Sequence, residues 1–279
     1  DNITITTDTL LQYDTLAING TIIIEDCEVR LGNMMVYLNS HAKIEVRGTG
    51  ILYLEHDSLM ICPGMDYMWD GIYVMDDSAL VHGGATYIRD AKNAVVIKNC
   101  GNYHFDTFYF DNNYKAIWVD SCNKSIIDNL HAVHTTHFIC TDPAEMLLPY
   151  YNQRSYVGIQ INEVDSIQIG GAGLFLHSAP YYQRNYFENL DFGILNTNSN
   201  LFVYNNAFKN LDQNNPNPPS SYIGVGIKSN AWSEKDLVIG KSNTPGTPLN
   251  NIWSNTFDNC WEAVYANYNQ NVRIKNDTI

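Results

Sequence analysis

Apolar and polar residues alternate along this chain in short runs, and turn-forming residues interrupt the runs every few positions. Alternation with a period of two puts one face of a strand into a core, and no stretch of a dozen residues keeps the 3.6-residue period of a helix. The runs at 21–24, 44–46, 51–54 and 59–62 read as strands, separated by Asn19-Gly20, Gly32-Asn33 and Gly48-Thr49-Gly50.

From residue 88 onward the pattern repeats. Ile88, Asp90, Ala94 and Val95 recur 22 residues later as Phe110, Asn112, Ala116 and Ile117, and Cys100 falls on Cys122. The order returns as Phe187, Asn189, Gly193, Ile194 and as Phe257, Asn259, Ala263, Val264, while Phe208 and Asn210 reach Gly226 and Ile227 only after an insertion. Each feature has a cause. The large apolar residue fills a core, and Asn or Asp tolerates the left-handed backbone of a tight corner. The small residue leaves room where the chain bends inward. Such a unit cannot bury its apolar face alone, but stacked units share one core.

The reading is therefore all-β: one single-stranded, right-handed parallel β-helix over residues 1–279, with coils of about 22 residues. Residues 1–68 form N-terminal coils and 69–279 the Asn-rich repeat coils. A β-sandwich would also have short strands, but it needs no fixed register. The register predicts that Ala94, Ala116, Gly158, Gly193, Gly226 and Ala263 stack on one face. Insertions fall at 141–156, 177–184, 212–222 and 229–251; the first and third precede a Gly-Ile strand, so they should leave the same corner. The last residues stop within a repeat, which suggests a piece of a longer protein.

Composition narrows the function. The formal charge is −14, with 16 Lys and Arg scattered singly, so a nucleic-acid partner is excluded. No apolar run is long enough to cross a membrane. Charged residues are only 16% of the chain, below the roughly 25% usual in globular domains, and Asn (about one residue in eight) and 19 Tyr take their place. That habit belongs to extracellular β-proteins.

Other residues carry a resemblance. Met68-Trp69-Asp70-Gly71-Ile72-Tyr73-Val74, following Cys62-Pro63-Gly64, resembles the right-handed β-helix region of secreted surface proteins from Bacteroidota, as do the strands around Ile5, Ile24 and Ile44. Those proteins usually end in a type IX secretion sorting domain, and none lies within these residues. The resemblance implies a secreted or cell-surface location. The wider pectin lyase-like fold class also contains enzymes, so it says less about chemistry.

The chemical candidates are few. Lyases of that class use clustered acids with an Arg or Lys base, and the six Arg here lie apart from any Asp cluster. Asp76-Asp77, His82-Gly83-Gly84 and Arg273-Ile274-Lys275 only partly resemble polygalacturonase motifs; we read Asp76-Asp77 as a solvated turn and Arg273-Ile274-Lys275 as a strand. No catalytic residue, cofactor or activity on pectin-like polymers is expected. His131, His134, His137 and Cys140 are metal-ligand types, but a three-residue step suits neither a strand face nor a helix. Cys100 and Cys122 should stack in neighbouring coils, close enough for a disulfide; buried free thiols are the favoured reading. Loop aromatics Tyr150, Tyr151, Tyr156, Tyr181, Tyr182, Tyr222 and Trp232 offer faces to sugars or to other surface proteins.

Six Asp-Ser/Thr-apolar triplets match the O-glycosylation pattern of Bacteroidota proteins, with acceptors Thr9, Thr15, Ser58, Ser78, Ser166 and Thr278. Most of these hydroxyls should be exposed at corners. The expected function is a non-catalytic, adhesin-like or structural surface module that presents loops to glycans or protein partners. The alternative is a polysaccharide lyase or glycoside hydrolase.

Overall fold

A computed structural model describes residues 2–126, 131–170, 184–212, 223–240 and 254–275. The chain is a parallel β-helix. The earlier coils each contribute one strand to each of three sheets, as in Gly71–Val74, Leu80–Gly84 and Tyr87–Arg89, before Asn93–Lys98 returns to the first sheet. The second sheet ends at His131–His134, and beyond it Val157–Ile169 runs on along the first sheet, where Asn200–Val203, Asp236–Ile239 and Asn271–Ile274 stack on its second half. Pairing between the described strands is parallel, with a register shift between Cys122 and Ser125 where Lys115–Ile126 pairs with Val157–Ile169. It runs through residue 68 without a break, since Lys43–Arg47 pairs with Gly71–Val74. Among the described residues there is one 3-10 turn, Pro143–Glu145, and no α-helix.

The 22-residue period holds from Val95 to Ile117, while Ile44 pairs with Ile72 and Ile159 with Ile194, because loops lengthen those coils. Corners keep the coils aligned. Between the third and first sheets, Asp90, Asn112, Asn189, Asn210 and Asn259 all have φ of 51–60°, as the repeat predicts. The other corners do the same with Asn99, Ser121, Glu163 and Asn198, and with Asn33, His56, Ala85, Thr107, Thr135 and Asn205. A left-handed residue at each of these corners, followed after Asn99 by a second at Cys100, lets the chain turn without leaving its plane.

The core is a set of ladders. In the first sheet Ile44, Ile72, Val95, Ile117, Ile159, Ile194 and Ile227 stack in register. In the third sheet the ladder changes from Leu59 and Ile88 to Phe110, Phe138, Phe187, Phe208 and Phe257, whose rings stack at 4.6–5.3 Å. This ladder explains the small residues. The pairs flanking Ala94, Ala116, Gly158, Gly193, Gly226 and Ala263 place all six in one column. A Cβ on Gly158, Gly193 or Gly226 would lie 2.5–2.8 Å from the next coil's Phe ring. Trp69 is fully buried and its Nε1 donates to Arg89 O at 2.8 Å, and a Cβ on Gly71 would strike Asn93 O. That packing accounts for the Trp-Asp-Gly-Ile block.

The corner from the second to the third sheet holds a buried amide ladder that the repeat does not announce. Asn185 Nδ2 donates to Asn206 Oδ1 (3.0 Å) and Asn206 Nδ2 to Asn255 Oδ1 (3.1 Å), and all three residues are fully buried. One expectation is corrected. Cys100 and Cys122 are joined by a disulfide, with Cα atoms 4.8 Å apart. Both sit at the same corner of adjacent coils, so strand spacing alone brings them into bonding range.

Candidate binding groove

The first insertion and the described flanks of the third lie at the same corner. Residues 141–156 lie between His137–Ile139 of the third sheet and Val157–Ile169 of the first, and 212–222 between Asn206–Lys209 and Val225–Asn230. Arg154, nearly buried, pairs with Asp212 at 3.1 Å and ties the first insertion to the end of the described strand segment before the third. Tyr150 and Tyr156 stack on Tyr114 there, so their faces cover the solenoid. Tyr151 and Trp232 are exposed. Tyr181, Tyr182, Tyr222 and Thr278 lie outside the described residues, as does the side chain of His131.

The other histidines do not converge. His134 sits on the second sheet beside His104, with ring centroids 6.1 Å apart. His137 is on the third sheet between two tyrosines, and Cys140 is buried, where desolvation raises its thiol pKa. Among the described residues no three His, Cys, Asp or Glu side chains gather as a metal site.

The triplet hydroxyls are less exposed than expected. Thr15 and Ser78 are exposed, but Thr9, Ser58 and Ser166 are half-buried. For Thr9 and Ser58 the cause is the Asp. Asp57, buried, accepts from Met34 N (2.7 Å) and Glu55 N (2.8 Å), and Asp8 accepts from Glu28 N (2.9 Å). The carboxylate caps the corner, so the hydroxyl that follows enters the strand. Asp76 and Asp77 lie in a turn, where Asp76 accepts from Gly48 N at 2.8 Å.

Among the described residues one concave feature lies on the outer face of the second sheet, a groove of about 620 Å³; another, of about 600 Å³, lies over Asp76, Asp77 and Glu163. The groove on the second sheet takes its shape from Gly83-Gly84. Gly83 has φ of +155°, and a Cβ there would lie 1.7 Å from Leu54 O, so only glycine fits. Gly84 faces outward with Glu55 and Asp106 in register on either side. A side chain there would be tolerated, since its Cβ would meet only Asp106 O at 3.4 Å. Without one, a trough one strand wide opens between two carboxylates. One wall is aromatic: Tyr53, His82 and His104 are in register, the Tyr53 and His82 rings meeting edge to face at 4.7 Å. Arg30 lies 5.3 Å from the centre of the Tyr53 ring.

Burial lowers the pKa of His82 and, with His104 adding to it, pushes His134 down to about 4. Burial and then the Glu55 carboxylate raise the Tyr53 phenol. Near pH 7 the groove therefore offers a neutral imidazole at His82 and a protonated phenol at Tyr53, beside the side chains of Glu55 and Asp106 and the Thr107 hydroxyl. These groups accept and donate hydrogen bonds beside ring surface. The sequence holds this site only as a failed motif at His82-Gly83-Gly84.

The fold and groove define a parallel β-helix with a polar, ring-lined trough on one sheet. No protein-family model, curated protein or solved structure matches the chain.

Proposed function

We propose that this chain is a non-catalytic extracellular β-helix module that binds neutral carbohydrate in the groove over Gly84. The observation that carries the reading is the groove itself: aromatic surface at Tyr53 and His82 faces polar groups that suit hydroxyls, in a volume usual for ligand sites. Glu55, Asp106 and the charge of −14 oppose an acidic polymer. An extracellular setting is supported by the Cys100–Cys122 bridge, the Asn- and Tyr-rich surface and the resemblance to secreted Bacteroidota proteins. Binding to a panel of neutral and acidic oligosaccharides tests this. Neutral members should bind and Tyr53→Ala should weaken them at least tenfold; a preference for acidic members would sink the reading.

One observation favours a second reading. Glu55 and Asp106 line the groove with one strand between them, which sets their Cα atoms about 9–10 Å apart. Two carboxylates flanking a gap are the minimum for glycoside hydrolysis. Reducing ends released by the wild type, and lost in Glu55→Gln and Asp106→Asn, would establish hydrolysis.

A further inference from the structure

The outer face of the third sheet carries a second ladder of rings. Tyr109, His137 and Tyr186 are in register on consecutive coils, stacked at 4.7 and 4.6 Å with interplanar angles of 16° and 19°. The next two positions in the column are Ala207 and Thr256. The ladder therefore stops with one face of Tyr186 turned toward a coil that carries only a methyl group. Between Tyr186 and Thr256 lies the width of two strand spacings, about 9–10 Å between Cα atoms, with Ala207 as its floor. That is room for one more flat ring at the ladder's own spacing.

A cation borders this slot. Arg184 crosses from its own coil, donating from Nε to Asn205 Oδ1 (3.2 Å), from one terminal nitrogen to Thr256 Oγ1 (3.4 Å) and from the other to Ser254 O (3.3 Å). All three acceptors are neutral, and no carboxylate among the described residues pairs with it. These bonds hold the guanidinium beside the slot and leave N–H groups over. Lys209, on the opposite flank, is already engaged by Glu188 at 3.7 Å. A half-buried guanidinium with no carboxylate partner among the described residues, next to a ring face that none of the described side chains in its column covers, selects an anion attached to a ring.

We propose that the slot over Ala207 binds a small planar aromatic carboxylate, its ring continuing the Tyr109–His137–Tyr186 stack and its carboxylate on Arg184. A puckered sugar ring is thicker than the stack spacing, so this site is separate from the groove over Gly84 and its ligand is of another class. The slot is legible only in three dimensions, because insertions place the ladder members at unequal sequence intervals.

The test titrates the protein with benzoate, phenol and cyclohexanecarboxylate, read by ligand-observed saturation-transfer NMR. For a ligand of this size a Kd on the order of 1 mM is expected for benzoate. Phenol, which lacks the anion, and cyclohexanecarboxylate, which lacks the flat ring, should bind at least tenfold more weakly. Ala207→Tyr fills the slot from an outward position and should abolish benzoate binding. Arg184→Gln should weaken benzoate about tenfold and leave phenol unchanged. Gly84→Trp should not affect it, which separates this site from the groove. Absence of benzoate binding at ten times the expected Kd, benzoate binding retained in Ala207→Tyr, or equal affinity for benzoate and phenol would each overturn the proposal.

Discussion

Replacing Asn206 with Ala removes the middle rung of the buried amide ladder. The change deletes Asn206 Nδ2 to Tyr204 O (2.8 Å), to Asn255 Oδ1 (3.1 Å) and to Ile169 O (3.3 Å), and Asn185 Nδ2 to Asn206 Oδ1 (3.0 Å). The neighbours are not fully orphaned. Asn185 Nδ2 still reaches Val133 O, and Asn255 Oδ1 still accepts from the Asn206 backbone N–H. The Nδ2 group has two hydrogens for its three acceptors, so with the bond from Asn185 about three full hydrogen bonds are lost; at about 1 kcal/mol each, without a full desolvation penalty, the loss is about 3 kcal/mol. For a chain of this length that lowers Tm by about 5 °C. Asn206→Asp sharpens the test, because a carboxylate keeps the acceptor for Asn185 but faces Tyr204 O and Asn255 Oδ1, both acceptors. Above the carboxylate pKa it should be less stable than Asn206→Ala. Thermal unfolding followed by circular dichroism measures both. Asn206→Ala within about 0.5 kcal/mol of wild type, or Asn206→Asp as stable as Asn206→Ala at pH 7, would refute a structural role for the ladder.

Gly193→Ala should lose about 1–3 kcal/mol by overpacking against the Phe208 ring and Gly226 O, whereas Ala116→Gly in the same column should lose under about 1 kcal/mol; comparable losses in denaturant unfolding would argue against the packing given for the small column. Replacing Cys100 and Cys122 together by Ala should cost about 3 kcal/mol, the chain-entropy value for a loop of this length, and an unchanged unfolding midpoint would contradict it. Two buried groups oppose each other in pH dependence. Burial raises Asp90 from 3.8 to about 6, so its contribution to stability falls as pH rises through 4 to 6; burial lowers His134 from 6.5 to about 4, so its contribution is lost as pH falls from 6.5 to 4. Each effect is about 3 kcal/mol, and together they nearly cancel. Asp90→Asn should therefore make the protein acid-sensitive between pH 6.5 and 4.5, and His134→Gln should make it more stable on acidification. Identical pH profiles for the two variants would exclude this account.

What the sequence reveals is whatever a single coil dictates locally. A left-handed corner selects Asn or Asp wherever it occurs, so Asp90, Asn112, Asn189, Asn210 and Asn259 announce their positions. The small column is legible for the same reason. Features made by contact between coils are less so. Asn185, Asn206 and Asn255 have no local signature, and insertions set them at unequal intervals. The disulfide was a choice between two states that the same register permits, and bonding geometry decided it. The groove depends on Gly84 lying between Glu55 and Asp106, residues 29 and 22 positions away, whose shared column appears only once the corners are placed. His134 and His137, three residues apart, end on different sheets because Thr135 turns the chain between them.

Under the proposed function the trough over Gly84 is the binding site for neutral carbohydrate. Gly84→Trp fills the trough from a position where a side chain meets no backbone closer than 3.4 Å, so the fold should persist, as an unchanged circular dichroism spectrum and Tm would show. Calorimetric titration of wild type and Gly84→Trp with the best neutral oligosaccharide of the panel is the most direct measurement. The account predicts saturable binding by the wild type and at least a tenfold loss in the variant; equal affinity in a folded Gly84→Trp would contradict it.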